Sequence, residues 1–296
     1  MTRLELVVVC WNDRERIAAA LDSFYALDEV RRAGDFARAI VSDNGSHDGS
    51  VAFLRERYGE RLEIVENGAN LGFGAACNRA FARGCAPYVY LLNPDAQLRA
   101  GALRTIFDFM ERRPRCGIAG SRIYDPDGTI AESVGEFDTW SGAFLRSSGW
   151  GAWPLFRRYA NGAQVRAWGY RDERRVDLAI GAALCLRRAM LEEVGPFDER
   201  FFLYHEEVDL AKRAAAAGWE CWYVPASEAV HEGMGSARGY SVEAHKQRSR
   251  RRYWLKHHGP LWYGALVAAL VGRFVLYAAL VAGIVGATRR ALGRGR

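Results

Sequence analysis

The chain has no C-x-x-C pair; its six cysteines, Cys10, Cys77, Cys85, Cys116, Cys185 and Cys221, are scattered and form no regular framework. That spacing argues against a zinc site or a disulfide scaffold and fits reduced thiols in a cytosolic protein, packed as small apolar groups. No basic stretch and cleavage site precede the first strand-like run, Leu4–Cys10, so no secretory signal is expected. Internal repeats and low-complexity tracts are also missing. A dinucleotide fingerprint is absent too: after Gly72 and Gly74 the third glycine position of G-x-G-x-x-G is Cys77. The first strand ends Cys10-Trp-Asn-Asp-Arg14, without the glycine-rich phosphate loop and following Lys or Arg that nucleotidyl transfer onto a sugar phosphate would want. Acidic residues stop at Glu243. Beyond it stand eleven Lys or Arg and no Asp or Glu, so the net charge of +6 divides into a body of −5 and a strongly basic tail. A nucleic-acid-binding face on the body is not expected from that balance.

At 296 residues, half of them hydrophobic, the chain can bury one large core. Runs of strand length and segments of helical spacing alternate four times in the first hundred residues. The strands are Leu4–Cys10, Ala37–Ser42, Leu62–Val65 and Tyr88–Leu92; the helices fall at Arg14–Tyr25, Ser50–Tyr58 and Ala75–Gly84. The expected fold class is α/β, a mostly parallel Rossmann-like sheet with helices on both faces. Such sheets bind ligands beyond the carboxyl ends of their strands. The polar segments Asp43–Gly49, Asn67–Gly74 and Asn93-Pro94-Asp95 all adjoin strand ends, so they are expected to converge on one crevice. The catalytic domain is expected over 1–243, and 244–296 as a basic, hydrophobic, helical, membrane-associated segment.

Asp95 at a strand end suits a divalent cation held against a diphosphate, because magnesium and manganese prefer oxygen ligands; an Asx turn closing the strand is the plainer alternative. Asp43 is open in the same way, between a turn former and an acceptor for the imide N–H of a pyrimidine base. Gly72 and Gly74 would let backbone approach a ligand closely. His205-Glu-Glu-Val-Asp209 places three acids at a helix start, which the helix dipole favours and which could also supply a general base. His231 reads either as structural or as a ligand. The tryptophans from Trp140 to Trp168 could stack on acceptor sugars, meet lipid headgroups or form core.

In order, these segments resemble the rhamnosyltransferase-like branch of the family 2 glycosyltransferases. The resemblance covers Leu4 to His258 and rests on V-V-V-C-W-N (Val7 to Asn12), V-S-D-N-G-S-H-D-G-S (Val41 to Ser50), E-N-G-A-N-L-G-F-G-A-A-C-N (Glu66 to Asn78) and L-L-N-P-D-A (Leu91 to Ala96). It continues through V-G-P-F-D-E-R-F-F-L-Y-H-E-E-V-D-L (Val194 to Leu210), A-G-W-E-C-W-Y-V-P (Ala217 to Pro225) and V-H-E-G-M-G-S (Val230 to Ser236). It implies a GT-A fold and an inverting, metal-dependent single displacement from a nucleotide-diphosphate sugar. The best-matching donor is dTDP-rhamnose, with UDP- or GDP-linked galactofuranose, N-acetylglucosamine or mannose as alternatives; a degenerate sugar-nucleotide-binding module is the non-enzymatic one. On this resemblance Glu207 is the base. Asn12, Asp43, Asn70, Gly72, Asn78, Asn93 and Asp95 line the donor site. Asp95 and His231 bind Mn2+ or Mg2+, and Gly181, Ala182, Glu206 and Trp168 stand on the acceptor side. Asn93 replaces the first Asp of a strict D-x-D motif, Glu207 is a methylene longer than the usual Asp, and His205 stands for a usual aromatic.

Leu261–Thr288 is apolar apart from Arg273 and is flanked by basic clusters. A central Arg costs roughly 2.5–3.5 kcal/mol on insertion scales, which favours in-plane or re-entrant helices over one span. The expected location is the cytoplasmic face of a membrane with anionic lipid, and the expected acceptor is polyprenyl-linked or another glycan of cell-surface polysaccharide. Whether the chain pairs with a second copy of itself stays open.

Overall fold

A computed structural model describes residues 2–32, 36–148, 168–233 and 242–293. Trp150, Trp153 and Met234–Ser236 lie outside the described residues. Two compact units are formed: one runs to Phe137 and resumes over Trp168–Arg250, and the other comprises the chain from Asp138 and from Arg251 onward.

The first unit is built on a nine-stranded sheet. Strands β1 (Leu4–Cys10), β2 (Ala37–Asp43), β3 (Leu62–Glu66) and β4 (Tyr88–Leu92) form its parallel half in the order β3-β2-β1-β4. Helices α1 (Arg14–Ala26), α3 (Ser50–Tyr58) and α4 (Phe73–Phe81) connect them, with a short α2 at Asp28–Arg32. β1 is buried along nearly its whole length, as a strand flanked by strands and covered by helices must be. Leu4, Leu6 and Val8 share a core with Ile17, Leu21 and Phe24 of α1.

The other half is mixed rather than parallel. After β5 (Ala96–Leu98), α5 (Ala102–Glu111) and β6 (Cys116–Tyr124), the chain makes the short β7 (Val134–Gly135), β8 (Arg174–Val176) and β9 (Leu178–Ala179), and then β10 (Ala183–Arg187). β10 lies between β4 and β6 and runs antiparallel to both. Between β9 and β10 the chain leaves strand geometry at 180–182, where Gly181 and Ala182 turn it onto the sheet. Helices α7 (Arg188–Val194) and α8 (Glu206–Ala216) precede β11 (Glu220–His231), which pairs with β6, β5 and β8. The register of β11 on β6 shifts between Val224 and Glu228, around Pro225, which cannot donate to a ladder.

Register brings the functional segments to one edge. Cys10 is paired with Asp43, Asp43 with Glu66, and Val8 with Leu92, so β1 to β4 end side by side. Antiparallel β10 starts at that edge, with Ala183 opposite Leu92. β11 finishes there as well: His231 is paired with Ala96, and Glu232 N donates to Asp95 O at 3.0 Å.

In the second unit, α6 (Trp140–Ser148) stacks Trp140 on Phe144, and Trp140 meets Trp262 edge-on with centroids 6.1 Å apart. The long helix α9 (Val242–Gly293) is broken at Gly259 (φ 81°, ψ 166°), and Pro260 opens its second part, where a missing N–H costs little. Among the described residues no helix is long and apolar enough to cross a membrane. Leu261, Trp262, Val271, Phe274, Val275 and Tyr277 nonetheless present large apolar side chains to solvent.

Candidate active site

Asp43 ends β2 and is 3 % exposed. Its Oδ2 accepts from Gly45 N and Ser46 N, both at 3.0 Å, which is the Asx turn its sequence suggests. Its Oδ1 is buried, with no partner among the described residues. The turn thus uses one oxygen and leaves the other without a donor among the described residues.

Asparagines give this wall its shape. Asn12, at φ 52°, accepts from His47 N (2.7 Å) and donates its own N–H to Ser46 Oγ (2.9 Å). Asn44 Nδ2 donates to Gly72 O (3.2 Å) and to Asn70 Oδ1 (3.4 Å), and Asn70 Oδ1 also accepts from Gly72 N (3.0 Å). Asn78 clamps α4 to the chain before α8: it donates to Phe197 O and Glu199 Oε1 and accepts from Phe197 N. Asn12, Asn70 and Asn78 therefore all bond to protein and hold loops in place around the crevice.

Asp95, 3 % exposed, receives His231 Nε2 at 3.1 Å, and Asn93 Nδ2 lies 3.3 Å from the same nitrogen. Burial alone would raise the Asp95 pKa. The bond and charge of His231, the turn's own backbone and the nearby Arg16 together hold it below the ordinary carboxylate value. Asn93 N donates to Ala182 O (3.0 Å), so the Asn93–Asp95 turn and the Gly181–Ala182 turn are tied together. Phe73 packs beside Gly181, about where a Cβ would meet its ring at 3.8 Å.

Phe73 in turn leads to the acids of α8. Its N–H donates to Phe202 O (2.9 Å), and Gly74 lies against Phe197 and Glu206. Just before α8, Tyr204 and His205 both take φ 68°, two consecutive non-glycine residues in the left-handed region. Strain of this kind gathers where a site over-determines the backbone. The preceding segment is held from outside the crevice: His245 stacks on Phe202, Lys246 lies over the Tyr204 ring, and Ser249 Oγ donates to Leu203 O. Glu206 is buried and Glu207 half-buried, and each has an Oε2 with no partner among the described residues. Burial raises both pKa values, and the Glu207 charge raises Glu206 further. Asp209 differs in kind. Fully buried, it holds Arg213 Nε at 2.9 Å, while Arg213 binds the carbonyls of Val194, Gly195 and Pro196. It anchors α8.

Gly72 is required by protein packing. At φ +88° a Cβ would stand 2.3 Å from Phe202 O. Left-handed strain and the clash together predict that Gly72→Ala destabilises the fold by about 3 kcal/mol. An unchanged melting temperature would contradict this.

Trp168 is not among the gathered residues. It donates to Asp172 and packs edge-on to Tyr223 (5.1 Å) in β11, eight residues upstream of His231. The sequence reading missed Asp13 and Arg16. Asp13 is the N-cap residue of α1, but its side chain makes no cap bond and instead holds Arg16, whose charge reaches Asp95.

Residues 5–166 match the profile of Glycosyl transferase family 2, and 88–289 that of Glycosyl transferase family group 2. An N-acetylglucosaminyl-diphospho-decaprenol L-rhamnosyltransferase of Mycobacterium tuberculosis is 32 % identical over 251 residues, 80 % of each chain. The chain belongs to glycosyl transferase family 2. It is a glycosyltransferase of the rhamnosyltransferase-like kind, as the resemblance implied. Solved structures give the same architecture. The mannosyltransferase PcManGT from Pyrobaculum calidifontis, in complex with GDP-Man and Mn2+, superposes with a TM-score of 0.55 at 18 % identity, over 96 % of this chain and 79 % of its own. GalNAc-T7 with UDP, GalNAc and Mn2+ gives 0.63 at 13 % identity, over 91 % and 51 %. The family 2 chain thus has the expected GT-A fold.

Proposed function

We propose that this glycosyltransferase moves rhamnose from dTDP-rhamnose onto a polyprenyl-diphosphate-linked N-acetylglucosamine in cell-wall polysaccharide synthesis, with inversion and with help from Mn2+ or Mg2+. The observation that carries the chemistry is the half-buried Glu207, its Oε2 unpartnered among the described residues, on the helix linked through Phe73 and Gly181 to the Asn93–Asp95 turn. The sugar and acceptor follow the mycobacterial relative's specificity.

Among the described residues no group of three or more His, Cys, Asp or Glu is arranged to hold a metal. Asp95 and His231 still fit a donor-bound cation. Magnesium and manganese at phosphates use one or two protein carboxylates and complete their shell with phosphate oxygens and water. Asp95, kept ionised, and His231 would be the protein's share, with the Asn93 amide beside the imidazole. When bound, the cation supplies neutralising charge at the leaving diphosphate. The remaining work belongs to the chain. Asp43 Oδ1 accepts from the base, and Asn12, Asn44 and Asn70 keep the loop around it closed. Glu207 accepts the proton of the acceptor hydroxyl as that oxygen attacks the anomeric carbon opposite the departing diphosphate. Glu206 stands beside it on the same turn of α8, and Glu207 acts in its ionised form.

The test is a transfer assay of the purified full-length chain with dTDP-rhamnose, UDP- and GDP-sugars against N-acetylglucosaminyl-diphospho-polyprenol, with and without manganese. Transfer of rhamnose to the lipid is expected; transfer from a UDP- or GDP-sugar alone would move the reading to that donor. Binding of donor with no transfer or hydrolysis would favour a non-catalytic module.

The tail is assigned to the cytoplasmic face of the membrane. Exposed apolar side chains from Leu261 to Tyr277 and the flanking basic residues suit insertion among anionic lipids, each basic residue near the surface adding about 1 kcal/mol. Removing residues 261–296 is expected to release the protein from phosphatidylglycerol vesicles, whereas high salt should release the full chain only in part. Sedimentation of the truncated form with vesicles as complete as that of the full chain would contradict it.

A further inference from the structure

The three residues before His205 are each gripped by a different residue of α9. His245 stacks on the Phe202 ring, with centroids 5.0 Å and planes 28° apart. Ser249 Oγ donates to Leu203 O at 2.8 Å. Lys246 Nζ stands 5.0 Å over the Tyr204 ring. Positions 245, 246 and 249 are spaced i, i+1 and i+4, so one stripe of α9 makes all three contacts. A serine inside a helix ordinarily bonds back to its own helix or faces water. Ser249 is buried and gives its proton to a carbonyl 46 positions away. The gripped segment also meets the loop before α4: Phe73 N donates to Phe202 O (2.9 Å), and Gly72 leaves no room for a Cβ beside that carbonyl.

What is held there is strained. Tyr204 and His205 both take φ 68°, a conformation that non-glycine residues keep only where their surroundings over-determine it. His205 is the N-cap residue of α8, and Glu206 and Glu207 follow it directly. A relaxed backbone at 204–205 would therefore redirect the first turn of α8. The rest of that helix has its own anchor, Asp209 and Arg213 on the 194–196 carbonyls. Burial raises the Tyr204 pKa, and the Glu206 and Glu207 charges raise it further, so the clamped ring lies within reach of both carboxylates.

We propose that Ser249 and His245 are positioning residues, which fix the 202–204 backbone from α9 and so hold the strained turn that aims Glu207 at the acceptor. This rests on Glu207 as the base and adds how the base is kept in place.

The experiment is steady-state transfer by the full chain with dTDP-rhamnose, N-acetylglucosaminyl-diphospho-polyprenol and manganese, with donor binding measured beside it by calorimetry. Ser249→Ala is expected to lower kcat about ten- to a hundredfold, as a small misplacement of a reacting group does, and to leave donor KM and Kd within about twofold. Ser249→Thr, which keeps the hydroxyl, should regain most of the rate. His245→Ala should act in the same direction, and His245→Phe, which keeps a stacking ring, should recover; this pair carries the test if Ser249→Ala does not fold. Gln247→Ala, exposed on the same turn, should match wild type. In a Glu207→Gln background Ser249→Ala should cost less than about twofold, because the group it positions is gone. Wild-type kcat in both alanine variants would overturn the proposal alone. So would recovery in neither conservative variant, or an undiminished loss in the Glu207→Gln background. Near-normal transfer by Glu207→Gln itself would remove the reading of the base and this assignment with it.

Discussion

Glu207→Gln is expected to lower the transfer rate by about 10² to 10⁴ while leaving donor binding intact, because the amide keeps the shape and removes the base. α8 offers three acids, and each is held differently. Asp209 is committed to Arg213, so Asp209→Asn should act on stability, by loosening the clamp on the 194–196 carbonyls. Glu206 is the more buried of the two glutamates and helps shape the site, so Glu206→Gln should cost less, under about tenfold. The pH profile gives an independent check. A base acts when ionised, and burial raises the Glu207 pKa, so transfer should fall as the pH drops through a value above the ordinary carboxylate range. That acidic limb should vanish in Glu207→Gln. Near-normal transfer by Glu207→Gln beside a dead Glu206→Gln enzyme would reassign the base.

Asp95→Ala is the second large effect, expected to cut transfer about a hundredfold or more. The backbone carbonyl of Asp95 still receives Glu232 N, and Asn93 N still donates to Ala182 O, so the turn should keep its form. The loss should appear together with a loss of response to manganese, measured as transfer against metal concentration, and a chelator should silence the wild type. Full turnover in excess chelator would refute the metal-dependent reading and leave the fold untouched.

Much of this was readable from residues. The continuous apolar run Val7–Cys10 and the turn former Asp43 mark strand ends because buried parallel strands need no alternation and their loops need Asx chemistry. The direction of β10 was not readable: Ala183–Arg187 is buried along almost its entire length, and such a run looks the same in a parallel or an antiparallel pair. Nor could sequence separate the roles of the asparagines. Asn78 matches a motif, yet its amide is used on Phe197 and Glu199, contacts about 120 positions away that no local pattern carries.

The most direct measurement of the central claim is the anomeric configuration of the sugar in the product, read by NMR after transfer from a donor of known configuration. A single displacement with Glu207 as base predicts the opposite configuration in the product. Retained configuration would contradict it, because it requires two displacements or a front-face route that this assignment of Glu207 does not provide.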